Sequence, residues 1–164
     1  MSDKLYHVLF ICTHNSARSI MAEAILNRLG AGRFVAHSGG SHPAGTVHPL
    51  ALRTLAAMHV PAEGLRSKDW SEFAQPGAPV MDFVFTVCDK AAGETCPVWP
   101  GQPMTAHWGV ADPAAGEGSD EQRARLFWDT AVVLKRRIEL MLALPLAALD
   151  GLAIQREIDD IGTR

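Results

Sequence analysis

Charge of one sign is what this chain has little of. Fifteen Lys and Arg stand against eighteen Asp and Glu, a formal charge of -3, and the basic residues form no block. A protein that grips nucleic acid by its phosphates needs a basic excess, so no nucleic-acid partner is expected. Long apolar runs are missing as well, none approaching the roughly 20 residues of a membrane span. The opening MSDKLYHVLFICTHNS carries neither a basic n-region nor a small-residue cleavage site. No membrane partner is expected, and the expected location is cytoplasmic. Cysteine is scarce, with three in 164 residues. That is too few for a disulfide scaffold, and in a reducing compartment such thiols are reactive or buried. Internal repeats and low-complexity segments are also absent.

What is present suits one ordinary domain. The composition is 48% hydrophobic and 20% charged, enough for a core and unlike a disordered chain. Residues 1–145 are expected to form it, with 146–164 as a C-terminal helical extension or tail. Leu5 to Ile11 is a β-prone apolar run of the kind buried on both faces of a parallel sheet. Ile20, Met21, Ala24, Ile25 and Leu29 then recur at helical spacing, closed by Gly30 and Gly32. Arg33 to Ser38 reads as a second strand running into Gly39-Gly40. A helix is expected from Pro49 to Met58 and a short one from Asp69 to Phe73. Phe83 to Val87 is a third strand and Met104 to His107 a weaker fourth. Phe127, Ala131, Leu134, Ile138 and Leu142 keep phase along a final long helix that Pro145 ends. Strands alternating with helices predict an α/β fold with a parallel sheet and right-handed crossovers. In such folds ligands sit beyond the carboxyl ends of the strands. The first strand stops at Cys12 and the third at Cys88, both at that edge.

The string from Cys12 to Ser19 is CTHNSARS, a C-x5-R spacing between a buried strand and an amphipathic helix. Backbone N–H groups at a helix start are unpaired and point into the preceding turn. Together with the helix dipole they make an oxyanion cradle, here formed by Thr13, His14, Asn15, Ser16, Ala17, Arg18 and Ser19. Arg18 adds a planar fork matched to a tetrahedral anion. The same field is expected to acidify Cys12. A fall in thiol pKa from about 8.5 to about 6 corresponds to roughly 3.4 kcal/mol of thiolate stabilisation. Cys12 is thus the expected nucleophile. The spacing alone is a weak signal, and a strand-end cysteine beside a surface arginine is its plain structural reading; the strand–turn–helix context gives it weight. Asp112-Pro113, after His107-Trp108-Gly109, places a carboxyl group able to protonate a leaving oxygen. Locally it is also an ordinary Asp-Pro turn.

The motifs VLFICTHNSARS, FTVCDKAAGETCPVWPG and HWGVADP, in that order, resemble the low-molecular-weight protein tyrosine phosphatase fold family. Within it the chain looks most like the bacterial arsenate reductases built on that fold, over roughly residues 5 to 143. The resemblance implies a three-layer α/β fold with a four-stranded parallel sheet in the order 2-1-3-4, flanked by helices. It implies Cys12 as nucleophile, Arg18 as oxyanion binder and Asp112 as general acid, with Asn15 and Ser19 orienting the cradle. It further implies that Cys88 and Cys96 pass one oxidation along by thiol–disulfide exchange. Arsenate is then the substrate, with phosphate or sulfate as analogues. The terminal reductant is an external thiol donor, thioredoxin or a glutaredoxin-type protein, and no organic cofactor is needed. The thioredoxin-linked members carry one residue fewer between the second and third cysteines, a departure that bears on the reductant. Some members of the fold bind potassium, and Asn15, Glu23, Ser38 and Asp69 are the candidate ligands here.

The main rival is a phosphatase using Cys12, Arg18 and Asp112, with water hydrolysing a phosphocysteine. Against it, Ala114-Ala115 follows Asp-Pro where the phosphatases carry an aromatic pair, and a phosphatase has no use for Cys88 and Cys96. A metal sensor built on Cys88, Cys96 and His107 lacks the tight ligand spacing of structural zinc. A partner-binding surface of Trp70, Trp99 and Trp108 competes with ordinary packing of those aromatics.

Overall fold

The computed structural model describes residues 4–88 and 99–164. Four parallel strands run β1 Tyr6–Cys12, β2 Phe34–Gly40, β3 Phe83–Thr86 and β4 Met104–His107. They pair in the order β2-β1-β3-β4, as the resemblance implied. Among the described residues four α-helices accompany them: α1 Arg18–Leu29, α2 Pro49–Ala57, α3 Asp120–Leu142 and α4 Gly151–Ile161.

Alternation along β1 sorts its side chains between two clusters. Val8, Phe10 and Cys12 face the buried residues of all four helices, whereas Leu9 and Ile11 join Trp70, Phe73, Met81, Val84 and Trp99 on the other face. There a 3₁₀ turn, Trp70–Ala74, covers the sheet, its start capped by the Asp69 carboxylate on the Ser71 N–H. Trp70, Trp99 and Trp108 are all buried. They are packing residues, and the recognition surface considered for them is not formed.

Strand pairing decides what meets at the carboxyl edge. Cys12 lies opposite Gly40 of β2, and Ile11 opposite Thr86 of β3. The Val87 N–H continues that ladder by donating to Ile11 O at 2.9 Å. Cys88 therefore emerges beside the loop that follows Cys12. β2 runs two residues further than expected, through Gly39 and Gly40. Both glycines are needed for close approach: a Cβ on Gly40 would sit 2.5 Å from Thr13 O, and one on Gly39 2.8 Å from the Trp70 Cα.

The long helix is well specified. Ser119 and Gln122 form a capping box, with Asp120 and Glu121 in the first turn. Its buried stripe is Phe127, Ala131, Leu134, Ile138 and Met141. Leu142 is only partly buried, and Leu29, expected on the apolar face of α1, is exposed. Beyond Pro145 the chain turns into α4, which starts on an Asp150 cap and buries Ile154, Ile158 and Ile161 in the main core. Each such side chain contributes about 2 kcal/mol on burial.

Candidate active site

The polar turn from Thr13 to Ser16 does not cap α1. The helix begins after Ala17, with no side-chain cap and no acidic residue in its first turn. The Asn15 side chain spans the loop instead. Its amide donates to Ser19 Oγ at 2.7 Å, and its carbonyl oxygen accepts from the Lys68 N–H at 2.9 Å. Asn15 has φ 47°, a left-handed conformation that asparagine tolerates better than most residues. Outer main-chain carbonyls of the loop are engaged in turn: Thr13 O accepts from His42 N, His14 O from Ala44 N and Ser16 O from His48 N. Ser67 Oγ also donates to His14 O, 3.2 Å away. The cradle is thus tied on its outside, while among the described residues no side chain caps α1 and its first turn holds no carboxylate.

Cys12 Sγ lies 2.8 Å from Ser19 Oγ, with both residues buried. Burial pushes the Cys12 thiol up, opposed by the Ser19 hydroxyl and by the main-chain N–H groups of Ser19 and Asn15; the nearby Cys88 charge pushes it up further. This corrects the expected acidification. The thiol pays for desolvation in the folded cradle, and the hydrogen bonds recover only part of that cost. Cys88, also buried, has its sulfur 3.6 Å from Thr13 Oγ1, one residue from the nucleophile. Both cysteines are thiols, with no disulfide between them. Cys96 and its expected role lie outside the described residues.

Arg18 joins the cradle to the acid loop. Its Nη1 donates to Val110 O at 3.1 Å, and its Nη2 lies 3.8 Å from Asp112 Oδ2. The Asp112 side chain is 40% exposed, and its Oδ1 caps the 3₁₀ turn Pro113–Ala115 through the Ala114 N–H. The turn-forming and acid readings of Asp112 are therefore compatible: one oxygen caps while the other faces the guanidinium.

Of the four candidate potassium ligands, Ser38 and Glu23 are in direct contact. Ser38 Oγ donates to the Glu23 carboxylate, but an ammonium already stands beside both. Lys68 Nζ lies 3.6 Å from Glu23 Oε1 and donates to Ser38 Oγ at 3.2 Å and Arg66 O at 2.9 Å. Asp69 caps Ser71, and Asn15 is spent on Ser19 and Lys68. A potassium ion here would bring a second cation to a single carboxylate, so these residues do not fit one. Nothing in the sequence flags Lys68 as buried, since lysine at a turn is ordinarily solvated.

Residues 7–150 match the model of the low molecular weight phosphotyrosine protein phosphatase family. The chain belongs to this family. Among its relatives is an arsenate reductase of Halalkalibacterium halodurans, 30% identical over 80% of this chain and 91% of that one. An arsenate reductase solved in its phosphate binding state superposes with TM-score 0.68, at 29% identity, over 84% of this chain and 97% of its own. A thioredoxin-dependent arsenate reductase of Corynebacterium glutamicum superposes with TM-score 0.56, at 26% identity, over 85% of this chain and 65% of its own. The family's sheet order and its oxyanion loop are both in place here, and Cys88 stands next to that loop.

Proposed function

We propose that this phosphatase-family protein is an arsenate reductase that uses its own thiols as the first electron source. The observation that carries the reading is a second buried thiol, Cys88, at the edge of the oxyanion cradle. It approaches Thr13 to 3.6 Å, and hydrolysis of a phosphate ester has no role for it.

The Cys12 thiolate attacks arsenic, the N–H groups at the head of α1 and the Arg18 guanidinium hold the oxyanion, and Asp112 protonates the departing oxygen, which leaves as water. A sulfur–arsenic bond has then formed and an arsenic–oxygen bond has broken. The Cys88 thiolate attacks the Cys12 sulfur. A sulfur–sulfur bond forms, the sulfur–arsenic pair of electrons stays on arsenic, and arsenate has become arsenite at the expense of two thiols. Cys96 exchanges with Cys88 to free Cys12, and a thioredoxin or glutaredoxin-type donor reduces the resulting disulfide. Two electrons enter and two leave without an organic cofactor, and the cycle begins from three reduced thiols, a state suited to the cytoplasm.

The deciding experiment counts free thiols in fully reduced protein before and after anaerobic incubation with arsenate, with phosphate as control. A fall from three to one, with arsenite formed, is expected. Retention of all three thiols alongside hydrolysis of an aryl phosphate would instead assign the cradle to phosphate-ester cleavage.

A further inference from the structure

Trp108 to Asp112, the loop that presents the acid, is held on one side by β3, where the Trp108 N–H donates to Thr86 O at 2.7 Å, and on the other by the C-terminal part of the chain. Trp108 is fully buried and stacks on Phe85 at 3.9 Å between ring centroids. Its indole N–H donates to Ile158 O of α4 at 2.9 Å. Arg137 of α3, also buried, donates from Nη1 to Trp108 O at 2.7 Å and to Gly109 O at 3.1 Å, and from Nε to the main-chain oxygen of Arg164 at 3.3 Å. Gly162, the C-cap of α4, packs so closely that a Cβ there would stand 2.4 Å from His107 O. Gln155 donates to Thr105 O on the outer strand at 2.8 Å.

The contacts made by Ile158, Gly162, Gln155 and Arg164 share one feature: those residues lie beyond residue 150, where the family match ends. We propose that α4, linked through the Arg137 guanidinium, positions the acid loop, so that this extension sets the approach of Asp112 to a leaving group. A buried guanidinium with three main-chain acceptors holds its partners in one geometry because an unpaired charge there is costly. From Gly109 the chain passes directly to Val110, whose N–H donates to Val87 O at 3.0 Å and whose carbonyl receives Arg18. Asp112 is two residues on. Arg137 and α4 are positioning groups; neither touches the cradle.

The inference rests on the proposed role of Asp112 as acid, and the test separates the two. Aryl phosphates of graded leaving-group acidity report that role directly. The Cys12 sulfur–phosphorus bond forms, the phosphorus–oxygen bond breaks, and the Asp112 proton goes to the departing phenolate. With Gly162→Ala or Arg137→Met, kcat on phenyl phosphate is expected to fall about tenfold, and on 2,4-dinitrophenyl phosphate less than about twofold. KM and inhibition by inorganic phosphate should hold, and Arg137→Lys should recover most of the loss. An equal loss across all leaving groups, or none, overturns the positioning role. If the wild-type protein cleaves no aryl phosphate, the first arsenate-driven loss of thiol is the readout. It should slow about tenfold in the same variants with phosphate inhibition unchanged, and an unchanged rate overturns the proposal. A wild-type protein inert to both substrates overturns the functional reading itself, and this inference with it.

Discussion

The cradle and the acid loop meet at Arg18 but are held by different parts of the chain. Cys12 to Ser19 is fastened inside by the Asn15–Ser19–Cys12 chain of contacts at 2.7 and 2.8 Å and outside by the main-chain N–H groups of His42, Ala44, His48 and Lys68. Trp108 to Asp112 is held by the end of β3 and by α3 and α4, through Arg137 and the main chain of Ile158. A site made of one loop tied to the segment after β2 and one tied to β3 and the C-terminal helices separates binding from proton transfer. Changes in the first should abolish chemistry, whereas changes around the second should tune it.

The largest effect sharpens that division. Cys12→Ser removes the attacking sulfur and should lower both arsenate reduction and any aryl-phosphate cleavage by about 10⁴-fold or more. Cys88→Ser should block arsenate turnover while aryl-phosphate cleavage persists. Substantial arsenite formation by the Cys12 variant would break the comparison at its root.

Next in size is Asp112→Asn, which leaves the cradle intact and removes the transferable proton. A loss of about 100-fold on poor leaving groups is expected, shrinking on good ones, with phosphate inhibition unchanged. A loss independent of the leaving group would make Asp112 a partner of Arg18 only.

This contrast also explains what was legible in the sequence. The C-x5-R string, the strand before it and the helix after it are contiguous, so they could be read as one object. Cys88 could be placed because the third strand stops there and pairs beside the first. Arg137, Gly162 and Lys68 act across 25 or more residues of chain, as in the contact between Arg137 and Gly109, and no local pattern marks them. The direction of the Cys12 pKa shift is not legible in the sequence for a related reason. The helix start is visible in sequence, but the degree of desolvation is a property of the whole core.

Within the cradle, Ser19→Ala tests the balance at the thiol. Burial raises the Cys12 pKa and the Ser19 hydroxyl lowers it, so removing the hydroxyl must raise it further. Since the thiolate is the reactive form, alkylation by iodoacetamide should increase with pH and, at neutral pH, be about tenfold slower in the variant. A pH midpoint that stayed put or moved down would show that the hydroxyl does not stabilise the thiolate.

The smallest effect on turnover is expected at Lys68, although its effect on stability is large. The Lys68 main-chain N–H holds Asn15 and survives substitution, so Lys68→Met should keep turnover within about threefold of wild type. Its ammonium, in contrast, is the cation that offsets the buried Glu23 carboxylate. Burial raises the Glu23 pKa and Lys68 lowers it, so the variant carboxyl shifts further up. Glu23 bears no charge once it takes a proton, and the loss of stability should therefore be smaller at pH 5 than at pH 8. At pH 8 a fall in Tm of about 5 °C or more is expected, the usual scale for stranding one member of a buried ion pair. Replacing sodium by potassium should leave wild-type turnover and Tm unchanged, because Lys68 already holds the cation position. A potassium-dependent rise in either would return an ion to Glu23 and Ser38 and add it to the groups that hold the cradle.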